Sequence, residues 1–309
     1  MYKDSQPKCP CCKCKAPLII GSIPPSNVFA GKYLNSLLPG GSLWKCPKCN
    51  LFFRYPLLSS ELIGELYSEG AAGSWNEPVY KRFDWQLIYD FISNEPSINT
   101  LLDVGCYDGR FLSLFGPNYT KFGVEAHKEA SLIAEKQGIQ IVGHDFDDLP
   151  SQSVKVDAVF AIDVIEHTID PLSFLSELQR LVKPDGHIII STGNTSSLSW
   201  RFMGSRYWYC HIAEHISFIN PQWITFACHK MGLTLLNTQK FSHGGGSLLQ
   251  RLRELLLNVI YRIFPRIFSL IRQLGAGGVD ISKYPELKNV PPYWLGANDH
   301  FLLILKNSR

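Results

Sequence analysis

Short apolar runs recur through the middle of the chain at Thr100–Val104, Lys121–Glu125, Ile139–Val142, Ala158–Ile162 and His187–Ser191. None alternates strictly between apolar and polar positions, which predicts parallel strands buried on both faces. Helices are predicted between them near 109–115, 127–137 and 170–182. The second stops at Gly138 and the third in the turn sequence Lys183-Pro-Asp-Gly186. Pro221–Met231 reads as a further helix stopped by Gly232, Leu233–Phe241 as a sixth strand, and Phe301–Lys306 as a last one. This alternation predicts a doubly wound α/β sheet.

The flanks read differently. Residues 1–60 are rich in Cys, Pro and Gly and lack helical periodicity. Residues 61–98 predict helix, loop, helix: Ser59 or Ser60 caps the first, Gly70–Ser74 breaks the pattern, and Pro78 opens the second through about Ser93. The core unit is then 99–241, with 242–300 an insertion and 301–309 the last strand. The insertion opens with His243-Gly-Gly-Gly246, and an apolar-basic helix, or two broken at Pro265, follows over about 248–274.

Composition narrows the class. Hydrophobic residues make up 45% and charged ones 18%, which supports a buried core and argues against disorder. A net charge of +3 is too small to imply nucleic-acid binding, so none is expected. The N-terminus shows no apolar signal core and no apolar run reaches membrane-spanning length, so the expected location is cytoplasmic.

Six of the nine cysteines lie in the first 49 residues, which suggests metal before disulfide. Cys9-Pro-Cys-Cys12 and Cys46-Pro-Lys-Cys49 are two Cys-x-x-Cys knuckles that can close a four-thiolate structural zinc site. Cys11-Cys-Lys-Cys14 offers a second register, but the parallel with the downstream knuckle favours Cys9 and Cys12. A loop or short helices are expected between the knuckles.

Asp103-Val-Gly-Cys-Tyr-Asp-Gly109 sits where a strand passes into a helix, the edge at which open α/β sheets bind ligands. Dinucleotide-binding enzymes also place glycines there. The downstream order discriminates: Glu125 ends the second strand, Gly143-His-Asp-Phe-Asp-Asp-Leu-Pro150 follows the third, Val156–Thr168 carries the fourth, and Leu181–Ile190 leads into the fifth. Over roughly 95–240 this set resembles the class I S-adenosylmethionine-dependent methyltransferases. The resemblance implies a seven-stranded Rossmann-like sheet with an antiparallel last strand. It places Asp103, Gly105 and Gly109 around the amino-acid part of the cofactor, with Tyr107 where the family usually has Gly. Glu125, with Ala126 beside it, matches the ribose-binding acid, and Asp145 and Phe146 match the adenine contacts. Ala161 and Asp163 match a loop closing over the cofactor. The bland alternatives are that Asp103 caps nearby amides and that Glu125 caps the next helix. The cysteine segment looks like the N-terminal zinc ribbon of some bacterial sugar and polysaccharide methyltransferases.

A hydroxyl acceptor needs a base, and His167, His211 and His215 are the candidates. Glu214-His215-Ile-Ser-Phe218 resembles an element of related enzymes, and Asp163-x-x-Glu166-His167 resembles one of metal-dependent O-methyltransferases for ubiquinone and small-RNA ends. The metal-free reading is favoured. The aromatic run Trp200–Tyr209 could stack on an acceptor ring or cover the core. The insertion is expected to overhang the active site, its arginine-rich helix serving as lid, dimer interface or peripheral membrane contact. The expected function is methylation of a hydroxyl or carbon of a small molecule, a sugar or glycoconjugate precursor that is nucleotide- or lipid-linked. The alternatives are a quinone O-methyltransferase, a nucleic-acid methyltransferase and a non-catalytic cofactor-binding module.

Overall fold

The computed structural model describes residues 7–68, 82–242, 244, 247–274 and 285–308. Pro78, the Gly70–Ser74 break and most of the His243–Gly246 turn lie outside them. Five strands open the chain: β1 (Leu18–Ile23), β2 (Ser26–Phe29), β3 (Lys32–Leu38), β4 (Gly41–Lys45) and β5 (Phe52–Tyr55). Strands, not a loop or short helices, therefore separate the cysteine knuckles. The local chemistry explains this. Ala30 and Gly31 both have positive φ and close the two-residue turn of the β2–β3 hairpin. β1 and β4 pair antiparallel, as do β4 and β5.

Two helices follow. α1 (Ser60–Ser68) is capped by the Ser59 hydroxyl, which accepts from the Leu62 amide at 3.3 Å. α2 (Phe83–Ser93) buries Ile88 and Ile92. The core then alternates β6 (Thr100–Val104), β7 (Thr120–Val124), α3 (Lys128–Lys136), β8 (Gln140–Gly143), β9 (Val156–Ile162), α4 (Pro171–Leu181) and β10 (Val182–Gly193). Next come α5 (Leu198–Met203), α6 (Trp208–His211), β11 (Ser217–Phe218), α7 (Pro221–Met231), β12 (Leu233–Phe241), α8 (Leu248–Ile263), α9 (Pro265–Gln273) and β13 (His300–Asn307).

The main sheet has the order β12-β13-β10-β9-β6-β7-β8, with β13 antiparallel to both neighbours. Neighbouring strand residues point alternately into two apolar layers. Leu102, Val159, Ala161, Ile188 and Ile190 meet α4 and α7, whereas Leu101, Ala158, Phe160 and Ile189 meet α2 and Phe111. Both faces are apolar, which is why the runs show no alternation. β11 pairs with β5, so the N-terminal sheet takes a strand from the core. Cys9, Cys11, Cys46 and Cys49 pack in the same cluster as Trp223 of α7.

Two expectations are corrected. The helix expected near 109–115 is a single 3₁₀ turn, Leu112–Leu114. Gly109 at φ +80° and the Gly116-Pro117 stop leave too few residues for an α-helix, and Phe111 and Phe115 instead pack edge-on at 5.6 Å. The turn expected at Lys183–Gly186 lies inside β10, whose register shifts there. α8 and α9 do break at Pro265, and they pack through Tyr261 and Phe268 on the cluster of Trp200, Tyr207 and Trp208. That aromatic run is buried core cover, so its tryptophans and tyrosines are not free stacking platforms. Among the described residues, no helix is long and apolar enough to cross a membrane.

The turn after β6 shows how close the packing is. Gly105, Tyr107 and Gly109 have φ of 83°, 47° and 80°. A Cβ on Gly109 would lie 2.2 Å from Ile139 Cδ1. Tyr107 takes the left-handed conformation that glycine adopts without steric cost. Gly109→Ala should therefore lower unfolding stability by about 2–4 kcal/mol, combining overpacking with backbone strain. Tyr107→Gly should change it by less than about 1 kcal/mol, because relieved strain offsets glycine's entropy. Equal losses in denaturant titrations would contradict this reading of the turn.

Candidate active site

The turn brings the carboxyl ends of β6 and β7 together. Glu125 follows β7, and its two carboxylate oxygens accept from the amides of Tyr107 and His127, each at 2.7 Å. It does not cap α3; the His127 ring does, accepting from the Ala130 amide. Burial pushes the Glu125 carboxyl up despite those amides. Ala126 is exposed beside it. Asp103 is 3% exposed, and its Oδ1 has no hydrogen-bond partner. It is not an amide cap: the turn amides of Gly105 and Cys106 donate to the Val124 carbonyl. Burial, reinforced by the Glu125 charge, pushes Asp103 up to about 8, with Arg82 opposing. A buried carboxyl with an unpaired oxygen, beside glycines that admit a close approach, can receive a cationic group.

After β8, Asp145 is exposed and Phe146 half-buried, its ring 5.4 Å from Phe174. The amides of His144 and Asp145 donate to the Asp148 carboxylate, at 2.6 and 3.1 Å. Ala161 is fully buried inside β9 and so does not lie on a loop. Asp163 follows β9 with φ 53°, and its Oδ2 lies 2.8 Å from the Arg82 guanidinium. The same guanidinium lies 2.7 Å from Asp84, a carboxylate that also accepts from Ser191. The sequence carries no signal for this ion pair, because 81 residues separate its partners.

On the acceptor side, the His167 and His215 rings meet edge-on at 4.9 Å. Tyr67 of α1 bonds His167 Nδ1 at 3.1 Å, and His215 Nδ1 donates to the Tyr209 carbonyl at 3.2 Å. Burial pushes His167 down to about 4 and His215 well below its usual range, so both rings are neutral at physiological pH. Glu166 is 1% exposed and accepts from Tyr209 Oη and from Thr192 Oγ1; burial pushes it up to about 8. His211 is turned away, its Nε2 2.9 Å from the Pro25 carbonyl. A narrow cavity of about 20 Å³ is lined by Arg54, Tyr67, His167 and Glu214 among apolar residues such as Phe29 and Ile63. Burial and the charges of Glu214, Glu166, Asp145 and Glu125 push the phenol of Tyr67 up, and its ring meets Phe29 edge-on at 4.9 Å. Tyr67 and Arg54 carry no site motif in the sequence, where an arginine inside the apolar run Leu51–Tyr55 is the usable signal, and Glu214 shows only as the neighbour of His215 in its element.

Among the described residues, two groups bring metal-ligating atoms within 4.8 Å of one another: Cys9, Cys12, Cys46 and Cys49, and Glu166, His167 and His215. The cysteine knuckles match each other. Lys13 and Asn50 both have positive φ, and each donates its amide back to the first cysteine of its knuckle. The Cys9–Cys49 and Cys12–Cys46 sulfurs lie 3.5 and 3.4 Å apart, close enough to share one tetrahedral ion. The alternative register through Cys11 and Cys14 is not the one brought together.

Residues 80–238 match the family model described as Methyltransferase domain. An uncharacterized protein of Methanocaldococcus jannaschii is 33% identical over 106 residues, covering 34% of this chain and 48% of that protein. A ubiquinone biosynthesis O-methyltransferase of Alkalilimnicola ehrlichii is 32% identical over 121 residues, covering 35% and 47%. The chain thus spans about half the length of these curated relatives. Among solved structures, the N-methyltransferase NodS of Bradyrhizobium japonicum in complex with S-adenosyl-l-homocysteine is 11% identical with a TM-score of 0.48, covering 80% of this chain and 98% of its own. The family match runs from just before α2 into β12 and takes in more than half of the chain, which therefore belongs to the methyltransferase domain family.

Proposed function

We propose that the chain methylates a hydroxyl or carbon of a small, hydroxyl-rich acceptor, a sugar or glycoconjugate precursor, seated against His167. The observation that carries this reading is the pocket bounded by β2, β5 and α1 on one side and by His167 and Glu214 on the other. Its interior has room for about one water molecule, so it would grip a single hydroxyl of the acceptor rather than enclose the whole of it. Among the described residues, Glu214 Oε2 and Arg54 Nε are buried without partners. A hydroxyl can donate to the first and accept from the second, which favours a polyhydroxy acceptor over a quinone ring.

Asp103, Gly105, Tyr107, Gly109, Glu125, Ala126, Asp145, Phe146, Ala161 and Asp163 are the proposed cofactor-side residues. When bound, S-adenosylmethionine supplies an electrophilic methyl on a sulfonium. Asp103 would take the cationic amino-acid part of the cofactor, and Glu125 would accept from the ribose hydroxyls. His215 does not line that pocket and would act beside His167, whose ring it meets at 4.9 Å; its Nδ1 is committed as a donor, which leaves Nε2 as the lone pair for an acceptor proton. His167 is the second candidate base, oriented by Tyr67. His211 positions the loop through the Pro25 carbonyl.

Cys9, Cys12, Cys46 and Cys49 hold a structural zinc in this reading. Without an ion, Cys9 is held low by the Cys49 thiol while burial pushes Cys46 up, so four thiolates need a cation. A second reading, a divalent ion at Glu166, His167 and His215 that would lower the acceptor pKa, is favoured by their proximity. Against it, Asp163 is engaged by Arg82, and both Glu166 oxygens already accept hydrogen bonds.

Three measurements test these assignments. Methyl-labelled cofactor offered to sugar nucleotides, phenols and tRNA should label sugars, with His215→Ala lowering kcat by roughly 10²–10⁴-fold. Labelling should survive chelator so long as the zinc is retained; transfer to phenols or tRNA alone would overturn the acceptor assignment. Elemental analysis should find one zinc per chain, lost in Cys46→Ser and kept in Cys14→Ser; a folded, metal-free protein would refute the site. Asp103 must lose its proton to receive a cation, so calorimetric cofactor affinity should rise about tenfold per pH unit from pH 6 toward 8 and then level off. Asp103→Asn should bind more weakly and flatten that slope. A flat wild-type profile would remove Asp103 from the cofactor site.

A further inference from the structure

α8 and α9 pack on the protein and still leave an apolar stripe facing outward. Leu248, Leu252, Leu255, Leu256 and Ile263 lie on one stripe of α8, spaced four, three, one and seven residues apart, and all are exposed. The opposite face meets the protein through Leu257, Ile260, Tyr261 and Phe268 on the Trp200 cluster and is pinned there by polar groups. Asn258 is fully buried and donates to the Tyr293 carbonyl, Tyr261 donates to the Asn289 carbonyl, and Glu254 accepts from the Gly296 amide. α9 repeats the arrangement: Arg272 is 1% exposed and donates to the Val290 carbonyl, while Ile267 and Leu270 face out. The patch continues onto α5, because Arg262 of α8 donates to the carbonyl of exposed Phe202.

We infer that this helical pair docks in the interfacial layer of an anionic lipid bilayer. Exposed Arg253, Arg262 and Arg266 fringe the apolar stripe. The sole acidic residue of the two helices, Glu254, is engaged by Gln250 and Gly296. An apolar stripe with a guanidinium fringe complements acyl chains beneath negative headgroups. A second copy of the chain fits less well. A two-fold contact through this face would set the same arginine fringe against itself with no free acid to answer it. Polar anchors on the inner face hold the pair fixed while its apolar side stays outward.

The test is co-sedimentation of the full chain with vesicles of phosphatidylcholine alone and of phosphatidylcholine with phosphatidylglycerol. Retention is expected on the second and not on the first. Leu252→Glu with Leu256→Glu should abolish it, and Arg253→Gln should weaken partitioning about fivefold, the factor given by about 1 kcal/mol per basic residue at an anionic surface. All these positions are exposed, and unchanged cofactor binding by calorimetry confirms that the variants are folded. No retention on phosphatidylglycerol vesicles would overturn the inference, as would equal retention of the double Glu variant. So would a wild-type dimer in solution that the double Glu variant dissolves without any lipid retention.

Discussion

The buried guanidinium of Arg54 is the contact on which the acceptor side depends. It is 3% exposed and donates to the carbonyls of Cys210 and Ile212, at 2.6 and 3.0 Å. Its own amide donates to the Ile216 carbonyl, and the Ile216 amide continues to the Glu166 carbonyl, each at 2.8 Å. One residue of β5 thus ties the N-terminal sheet to the loop that carries His211, Glu214 and His215, and onward to the end of β9. Burying that cation is costly, and burial pulls it down to about 10, with Glu214 partly compensating. The carbonyls that share the charge are therefore held firmly. Order in the cysteine-bearing module and order in the acceptor pocket become one property rather than two.

The cofactor side is arranged on the opposite electrostatic principle. Asp103 and Glu125 are both buried carboxyls pushed upward, while Arg82 at the start of α2 answers Asp84 and Asp163. Without a ligand, this crevice holds more acid than base. Such a site is destabilising when empty and relieved by a bound cation. Tyr107 fits that account. Its left-handed backbone delivers its amide to Glu125, which holds the carboxylate at the mouth of the turn.

Legibility in the sequence followed the range of the forces involved. Strands buried on both faces announce themselves as apolar runs, and β6, α7 and β12 have the limits read from sequence. Knuckle spacing is local chemistry, and the preferred cysteine register is the one the structure brings together. The helix near 109–115 was misread because apolar spacing was weighed over Gly109 and Gly116-Pro117, which break it. The strands between the knuckles were missed because their faces are largely exposed, so burial leaves little periodic signal. The Arg82–Asp163 pair, the Arg54 clamp and the Tyr67–His167 contact were illegible for another reason. Each joins residues set far apart in the chain, and no local rule links them.

The states of the acceptor-side groups constrain the chemistry they can share. His167 and His215 are neutral, and Glu166 is held high enough to keep its proton near neutrality. Two neutral imidazoles in contact can accept an acceptor's proton without first expelling a charge. The imidazolium so formed lies near Asp163, whose carboxylate favours the charged ring. Arg82 holds that carboxylate in place, so the stabilising charge is already oriented when the proton arrives. The same burial that makes each histidine a weak base in isolation excludes the water that would otherwise compete for the proton. In the proposed reaction, base strength surrendered by desolvation would be recovered through a fixed carboxylate, an exchange that favours proton removal coupled to bond formation over prior ionisation of the acceptor.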